Sequence, residues 1–150
     1  MSTSPNGPDL IVVGCGKQKL THPAPARDLY TSQFFKAKAR YALASGCPWV
    51  ILSAEYGLVM PGEMLEPYDS SLKSQGEWGR YWFRWKVRLA FGRLAFERNQ
   101  RVVVELHAGK LYREQFKEAV SKKHKHVEYI EPTAGMGIGY QLGWYKREAA

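Results

Sequence analysis

Residues 49–69, WVILSAEYGLVMPGEMLEPYD, decide the fold because they join an apolar run to a loop that is rich in acidic and aromatic side chains. The run over residues 49–52 is short and unbroken, which predicts a strand that is buried on both faces. The loop begins at Ser53, and open α/β sheets place their ligands at the carboxyl ends of strands. The stretch therefore predicts a functional site in the loop.

Three further apolar runs have the length and composition of strands. They lie at residues 10–13, 101–106 and 127–130. Helical patterns alternate with these runs, at residues 33–45, 77–99, 111–124 and 140–147. The alternation predicts an α/β fold, a three-layer Rossmann-like sandwich with a mostly parallel sheet of about four strands.

The chain of 150 residues has the usual length of one domain. Residues 1–8 are polar and turn-forming, so we expect a flexible N-terminal tail there and a single α/β domain over residues 9–150. No apolar run reaches membrane-spanning length, which predicts that the protein has no membrane partner. Two cysteines, Cys15 and Cys47, are too few for a disulfide framework and favour a cytoplasmic protein. Both a monomer and a dimer fit these features.

The net charge of +8 indicates a phosphate-bearing partner, because a basic surface gains affinity for nucleic acid by releasing counterions. The basic residues form two clusters, one in the predicted helix over residues 77–99 and one near residue 124. We expect DNA as the partner, with RNA as the alternative. The predicted nucleic-acid contacts are Arg80, Arg84, Arg88, Lys122, Lys123 and Lys125.

The same predicted helix carries aromatic side chains at helical spacing. They include Trp78, Tyr81, Trp82 and Trp85. An aromatic stripe with this spacing is more often part of a core than a platform for stacked bases. We therefore expect these rings to be buried and the arginines to face the ligand.

Residues 14–19, GCGKQK, follow the first predicted strand. Glycines at a strand exit let backbone N–H groups approach a phosphate, and Lys17 and Lys19 add positive charge. The loop lacks the Walker and dinucleotide-binding patterns, so a tight strand exit with solvated lysines explains it equally well. Cys15 is also a candidate nucleophile beside these lysines, although no histidine base is near it in sequence.

Taken together, these segments resemble a family of bacterial and phage domains of unknown function. That family is related to the YaaA-type peroxide-stress DNA-binding proteins and to the catalytic core of archaeosine synthase. The resemblance is carried by CGKQK at residues 15–19, ARDLYTS at 26–32 with Phe34, SAEYGLV at 53–59, EPYD at 66–69 with Leu72, and GIGYQL at 137–142. It implies a nucleic-acid or modified-base substrate and base-removal or base-modification chemistry.

The implied function is a nucleic-acid-acting enzyme, a DNA glycosylase that cleaves or exchanges the N-glycosidic bond of a modified base. This chemistry needs a carboxylate beneath the sugar cation, a donor for the departing base and an aromatic wall. We assign Asp69 as the carboxylate, with Glu55 or Glu66 as its partner, and His107 as the other candidate acid or base. The predicted substrate-binding residues are Cys15, Gly16, Lys17, Lys19, Arg27, Tyr30, Ser53, Tyr56, Tyr68, Lys110, Gly137 and Gln141. We expect no cofactor and no metal, because the four histidines lack ligand spacing.

Each of these roles has a structural alternative. Asp69 could cap the next helix, Glu55 could pair with Arg27, and the tyrosines could belong to the core. The alternative function is a non-catalytic DNA- or RNA-binding protein of stress or of phage–host conflict. Carboxylates that converge in a pocket would favour the enzyme, whereas salt-bridged carboxylates on a flat basic face would favour binding alone.

Overall fold

The computed structural model of the chain describes residues 7–94, 96–97 and 99–149. The strands in this part of the chain are β1 (Leu10–Gly14), β2 (Ala24–Pro25), β3 (Trp49–Ser53), β4 (Gly57–Val59), β5 (Met64–Leu65), β6 (Val102–His107) and β7 (Val127–Ile130). The helices are α1 (Ala26–Leu29), α2 (Gln33–Ser45), α3 (Leu72–Gly92), α4 (Lys110–Ser121) and α5 (Ile138–Glu148). The predicted tail falls mainly on residues 1–6, which lie outside the described residues.

The fold is a mixed α/β fold, in which the described strands form a five-stranded sheet of order β4-β3-β1-β6-β7. β1 pairs in parallel with β3 and β6, and β6 pairs in parallel with β7. The sheet has one strand more than the sequence predicted, because part of the expected loop forms β4 and pairs antiparallel with β3. β2 and β5 form a small second sheet.

Two apolar cores cover the two faces of the sheet. Leu10 and Val12 of β1 pack on the side of α3 and α4, whereas Ile11 and Val13 pack on the side of α2. All five residues of β1 are buried because apolar groups cover both faces of the strand. This explains why the sequences of β1 and β3 are unbroken apolar runs and do not alternate between apolar and polar residues.

α3 differs from its predicted bounds at both ends, and Arg98, near the predicted end of the helix, lies outside the described residues. The helix begins earlier than expected because Ser71 and Ser74 form a reciprocal capping box. A break in the helix occurs at Gly76, whose φ of 70° is not helical. The helix ends at Gly92, a residue of low helix propensity.

The prediction that the aromatic stripe is buried is wrong for Trp78, Tyr81, Trp82 and Trp85, whereas Phe96, which belongs to the same pattern, is buried. Phe83, Val87 and Phe91 fill the face of α3 that packs on the sheet, whereas Trp78 is 79% exposed. The two sets of side chains both recur at helical spacing but lie on opposite sides of the helix. The sequence period therefore locates a helix without showing which of its two apolar stripes is buried.

None of the helices in the described ranges combines the length and the apolar character that crossing a bilayer requires.

The antiparallel hairpin depends on Gly57, and its substitution provides a test of the fold. Gly57 has a φ of 79°, and a Cβ atom built there would lie 2.7 Å from the Cβ of Lys86. Gly46 is a matched control, because its φ is 73° and a Cβ there would have no neighbour within 4 Å. We expect Gly46→Ala to lower the free energy of unfolding by about 1–2 kcal/mol, the conformational cost alone.

Gly57→Ala should cost a further ~1–3 kcal/mol, because the added methyl group displaces the α3 backbone. Urea unfolding of both variants measures the difference. Equal losses in the two variants would contradict the close packing of the hairpin against α3.

Candidate active site

A cavity of about 440 Å³ opens at the carboxyl edge of the sheet, beside the end of β1. Its lining residues in the described chain are Cys15, Gly16, Lys17, Lys19, Asp69, Ser70, Ser71, Ser74 and Tyr112. The volume lies within the range of ligand-binding pockets for small molecules. The structure thus brings the predicted loop of residues 14–19 and the predicted carboxylate Asp69 to the same cavity.

The cavity lies where the strand order reverses. From β1 the chain crosses by α2 to β3 on one side, whereas from β6 it crosses by α4 to β7 on the other side. Open α/β sheets bind ligands at such a switch point, because the two connections leave a crevice between them. The exits of β1 and β6 lie very close here, since a Cβ on Gly14 would lie 2.7 Å from the Cβ of Ala108.

Lys38 fixes the end of β1. Its ammonium is buried, and its Nζ donates a 2.9 Å hydrogen bond to the carbonyl oxygen of Gly14. Burial lowers the pKa of Lys38 to about 8, with the negative charge of a Cys15 thiolate acting in the opposite direction. A buried cation therefore lies directly behind the loop that lines the cavity.

Lys19 carries positive charge at the mouth of the cavity. Its Nζ lies 4.2 Å from the centroid of the Tyr68 ring and donates a 3.0 Å hydrogen bond to the carbonyl of Lys17. Partial burial lowers the pKa of Lys19, whereas the charges of Cys15 and Asp69 raise it. The ammonium therefore lies near the thiol, the carboxylate and an aromatic face at once.

A chain of hydrogen-bonded hydroxyl groups holds the Tyr68 ring that Lys19 contacts. The Tyr68 hydroxyl lies 2.7 Å from the Tyr30 hydroxyl and 2.9 Å from Ser53 Oγ, which also accepts the backbone N–H of Tyr56. Burial raises the pKa of Tyr30 and of Tyr68, so both phenols stay protonated at neutral pH. Tyr30 belongs to the core, as its structural alternative proposed, while Tyr68 connects that core to Lys19.

The three predicted carboxylates have different surroundings. Asp69 lines the cavity and does not cap α3, because the N-cap is Ser71. Glu55 accepts a 2.7 Å hydrogen bond from Ser70 Oγ, whereas Arg27 has its ion-pair contact with Asp28 at 3.9 Å. Glu66 is exposed and is not among the lining residues. Asp69 therefore lines the cavity itself, whereas Glu55 is connected to the cavity through its hydrogen bond with Ser70.

Sequence reasoning missed Tyr112 and the serines at the start of α3. The Cys15 thiol donates to the Tyr112 hydroxyl at 3.9 Å, and burial together with the Cys15 charge raises the pKa of Tyr112. The rule that locates ligands at strand ends could have found Tyr112, which lies five residues after the end of β6. The pattern of Ser71 and Ser74 is a capping signal that was also readable in the sequence.

His107 is enclosed in a separate network and does not line the cavity. Its Nε2 lies 2.7 Å from Glu105 Oε2, and its Nδ1 lies 2.8 Å from the Tyr145 hydroxyl. Burial raises the pKa of Glu105, but hydrogen bonds from His107 and Tyr41 outweigh it, so this pKa lies below its ordinary value. His107 is only 1% exposed, so the structure does not bring it together with the predicted residues that line the cavity.

Several other predicted residues also lie outside the cavity lining. Lys110 is exposed near Glu114, Gly137 is the N-cap of α5, and Gln141 donates to the carbonyl of Met136. Arg84 and Arg88 hydrogen-bond to α4, so they hold two helices together. Three exposed lysines follow the end of α4, at the opposite edge of the sheet from the cavity: Lys122, Lys123 and Lys125.

The cavity lining combines the positive charge of two lysines with the carboxylate of Asp69. Lys17 and Lys19 supply this positive charge, whereas the rim serines Ser70, Ser71 and Ser74 already donate their hydroxyl hydrogens within the protein. Within residues 7–94, 96–97 and 99–149, no three His, Cys, Asp or Glu side chains are grouped so that they could hold a metal ion.

Comparisons with known proteins place residues 10–147 in a family described as "Family of unknown function (DUF6884)". The chain is also similar to "Uncharacterized protein YfjM" of Bacillus subtilis (strain 168). The two sequences are 30% identical over 140 residues, which cover 89% of each chain. No solved structure matches the chain significantly.

The buried Lys38 predicts an unusual alkaline stability profile. The folded protein holds the pKa of Lys38 at about 8, against 10.5 in the unfolded chain, so the unfolded chain binds more protons between these pH values. The free energy of unfolding should therefore rise through this window by about 3 kcal/mol relative to Lys38→Met.

Urea unfolding at pH 7 to 10.5 measures this difference, and subtraction of the variant removes the common contribution of the tyrosines. Lys36→Met, which removes an exposed lysine from the same helix, is the matched control and should keep the wild-type slope. Parallel pH profiles for wild type and Lys38→Met would contradict a buried, destabilised ammonium.

Proposed function

The chain belongs to this family of unknown function, DUF6884, and we propose that it removes or exchanges a modified base in DNA by acting on the N-glycosidic bond. One observation carries the proposal: the Asp69 carboxylate and the cations Lys17 and Lys19 line one open cavity at the switch point of the sheet. A carboxylate stabilises a sugar cation, and the lysines hold the phosphates that flank the sugar.

In the proposed reaction the bond between C1′ of the sugar and the base nitrogen breaks, and its electron pair leaves with the base. The negative charge of Asp69 stabilises the oxocarbenium ion that forms at C1′. Water then adds its oxygen to C1′ and gives a proton to Asp69, which passes it to the base nitrogen. In the exchange reaction, the nitrogen of a second base replaces the water.

Tyr112 and Cys15 fit the other side of the departing base. Burial keeps the Tyr112 phenol neutral at physiological pH, so it can donate a hydrogen bond to the base as charge develops there. The Cys15 thiol lies beside this hydroxyl and borders the same cavity. Both groups are positioned by the loops that follow β1 and β6.

Three finer assignments belong to the same proposal. The helices on both faces of a mostly parallel sheet support a three-layer Rossmann-like sandwich. The motifs at residues 15–19 and 53–59, which line or support the cavity, favour the relation to YaaA-type proteins and to the archaeosine synthase core. The free thiols of Cys15 and Cys47 favour a reducing, cytoplasmic setting.

A role in binding DNA or RNA without catalysis is the second candidate. Glu55 is hydrogen-bonded to Ser70 and does not line the cavity, whereas Asp69 does. The predicted pair of carboxylates therefore does not meet in the cavity, which favours binding without catalysis. A single carboxylate can serve as part of a polar binding site as well as in catalysis.

Asp69→Asn separates the two candidates. The amide keeps the shape and loses the charge, so base release should fall about a hundredfold to a thousandfold while the melting temperature stays within about 1 °C. The substrates are DNAs that carry a panel of modified bases, and alkali cleavage with mass spectrometry of the released base measures activity. Glu66→Gln, at an exposed carboxylate outside the lining, is the matched control and should keep full activity.

A stable and fully active Asp69→Asn protein would move the catalytic role to Glu55. Absence of base release from every DNA in the panel, with nucleic-acid binding retained, would establish the binding role instead. A large loss of stability in Asp69→Asn would show that this carboxylate supports the fold.

A further inference from the structure

The exposed face of α3 carries four aromatic rings in a row, which we term the aromatic ladder: Trp78, Tyr81, Trp82 and Trp85. Their exposed fractions are 79%, 51%, 51% and 45%. Successive rings meet edge to face, at centroid distances of 6.3, 5.5 and 5.8 Å. An exposed apolar patch of this kind usually marks an interaction surface, because water contact with large rings is unfavourable.

The geometry of the aromatic ladder suits unpaired bases. Edge-to-face contacts leave faces of neighbouring rings exposed, and a base can stack on such a face whatever its sequence. The ladder extends over about 10 Å of helix, which corresponds to roughly three nucleotides of one strand. Bases within a duplex already stack on each other, so the ladder selects a single strand.

The charge of α3 also favours a polyanion. Its sequence contains five basic residues and one acidic residue, Glu77. A shallow depression of about 370 Å³ combines both properties, since it is lined by Glu77, Trp78, Arg80, Tyr81 and Arg84. Arg84 is held by Gln115 and Glu118 of α4, so Arg80 is the arginine that this face offers to a ligand. Two copies of the chain that met through this face would bring their Arg80 side chains close to each other, which is unfavourable for a second copy as the occupant.

The aromatic ladder begins close in sequence to the candidate active site. Ser71 and Ser74 line the cavity at the start of α3, and Trp78 follows Ser74 by four residues, on the far side of the break in the helix at Gly76. The ladder therefore starts two residues after this break, and the cavity-lining residues of the helix end two residues before it.

We propose that the aromatic ladder binds single-stranded DNA by stacking its bases, with Arg80 beside its phosphates, and that this strand supplies the nucleotide to the cavity. The inference rests on the proposed function for the identity of the ligand as DNA. It narrows the substrate to an unpaired strand, which needs no base to be extracted from a duplex.

Fluorescence anisotropy with a labelled 12-nucleotide oligothymidylate at low salt tests the proposal. Trp78→Ala and Trp85→Ala should each weaken binding by about fivefold to a hundredfold, because each removes a stacking partner. Trp82→Phe, which keeps a ring, should retain most of the affinity. Tyr140→Ala, which removes an 80% exposed ring from α5, is the matched control and should bind as wild type does.

Wild-type affinity in both tryptophan variants would overturn the proposal. Ladder-dependent binding of oligouridylate but not of oligothymidylate would overturn DNA as the ligand. Sedimentation of the wild type as a dimer that Trp82→Ala dissociates would show that a second copy covers the ladder. Because the substituted side chains are exposed, we expect the melting temperatures of the variants to lie within about 1 °C of the wild-type value. Such values would exclude misfolding as the cause of weaker DNA binding.

The failure of this inference is distinguishable from failure of the proposed function. The anisotropy measurement needs no reaction, so ladder-dependent DNA binding with no base release from any substrate would leave the inference standing and reject the glycosylase. If Trp78→Ala released bases from single-stranded DNA at the wild-type rate, the proposed role of the aromatic ladder would be rejected and the proposed glycosylase activity would stand.

Discussion

The buried hydrogen bond from Lys38 to the carbonyl of Gly14 is the interaction on which the candidate site depends. Gly14 is the last residue of β1, and the chain must turn there with no room for a Cβ beside Ala108. The ammonium pairs with the carbonyl at this turn, so the following loop, with Cys15 and its neighbouring lysines, starts from a fixed position. Because a charged lysine is costly to bury, this arrangement favours the geometry of the site over maximal stability.

α3 has two different faces, one buried against the sheet and one exposed to solvent. Phe83 and Val87 bury one face against the sheet, and Arg84 and Arg88 hydrogen-bond to α4. Arginine side chains can do this because their apolar stems pack while the guanidinium reaches a partner. The bulky aromatic residues of the other face are left exposed to solvent, and the serines that line the cavity precede them in the chain, before the break at Gly76.

Much of the architecture could be predicted because strand–helix alternation and glycine exits are local signals. Residues 14–19 and Asp69 reach one cavity because parallel strands end at the same edge. The buried face of α3 could not be predicted, since two apolar stripes share one period and tertiary packing alone chooses between them. The contact of His107 with Tyr145 was equally unreadable, because it forms only when α5 packs against β6. Glu105, by contrast, lies two residues away on the same strand and so shares a face with His107.

Chemical-shift mapping with a deoxynucleoside 5′-monophosphate tests most directly whether the cavity beside β1 is a nucleotide site. Our account predicts the largest amide shifts at residues 15–19, at residues 69–74 and at Tyr112, which line the cavity or lie beside its lining residues. A second cavity of about 490 Å³ lies between α2 and α5 and is lined in part by Lys36, Arg40 and Lys146. Shifts confined to that basic groove, with none at the end of β1, would contradict the account.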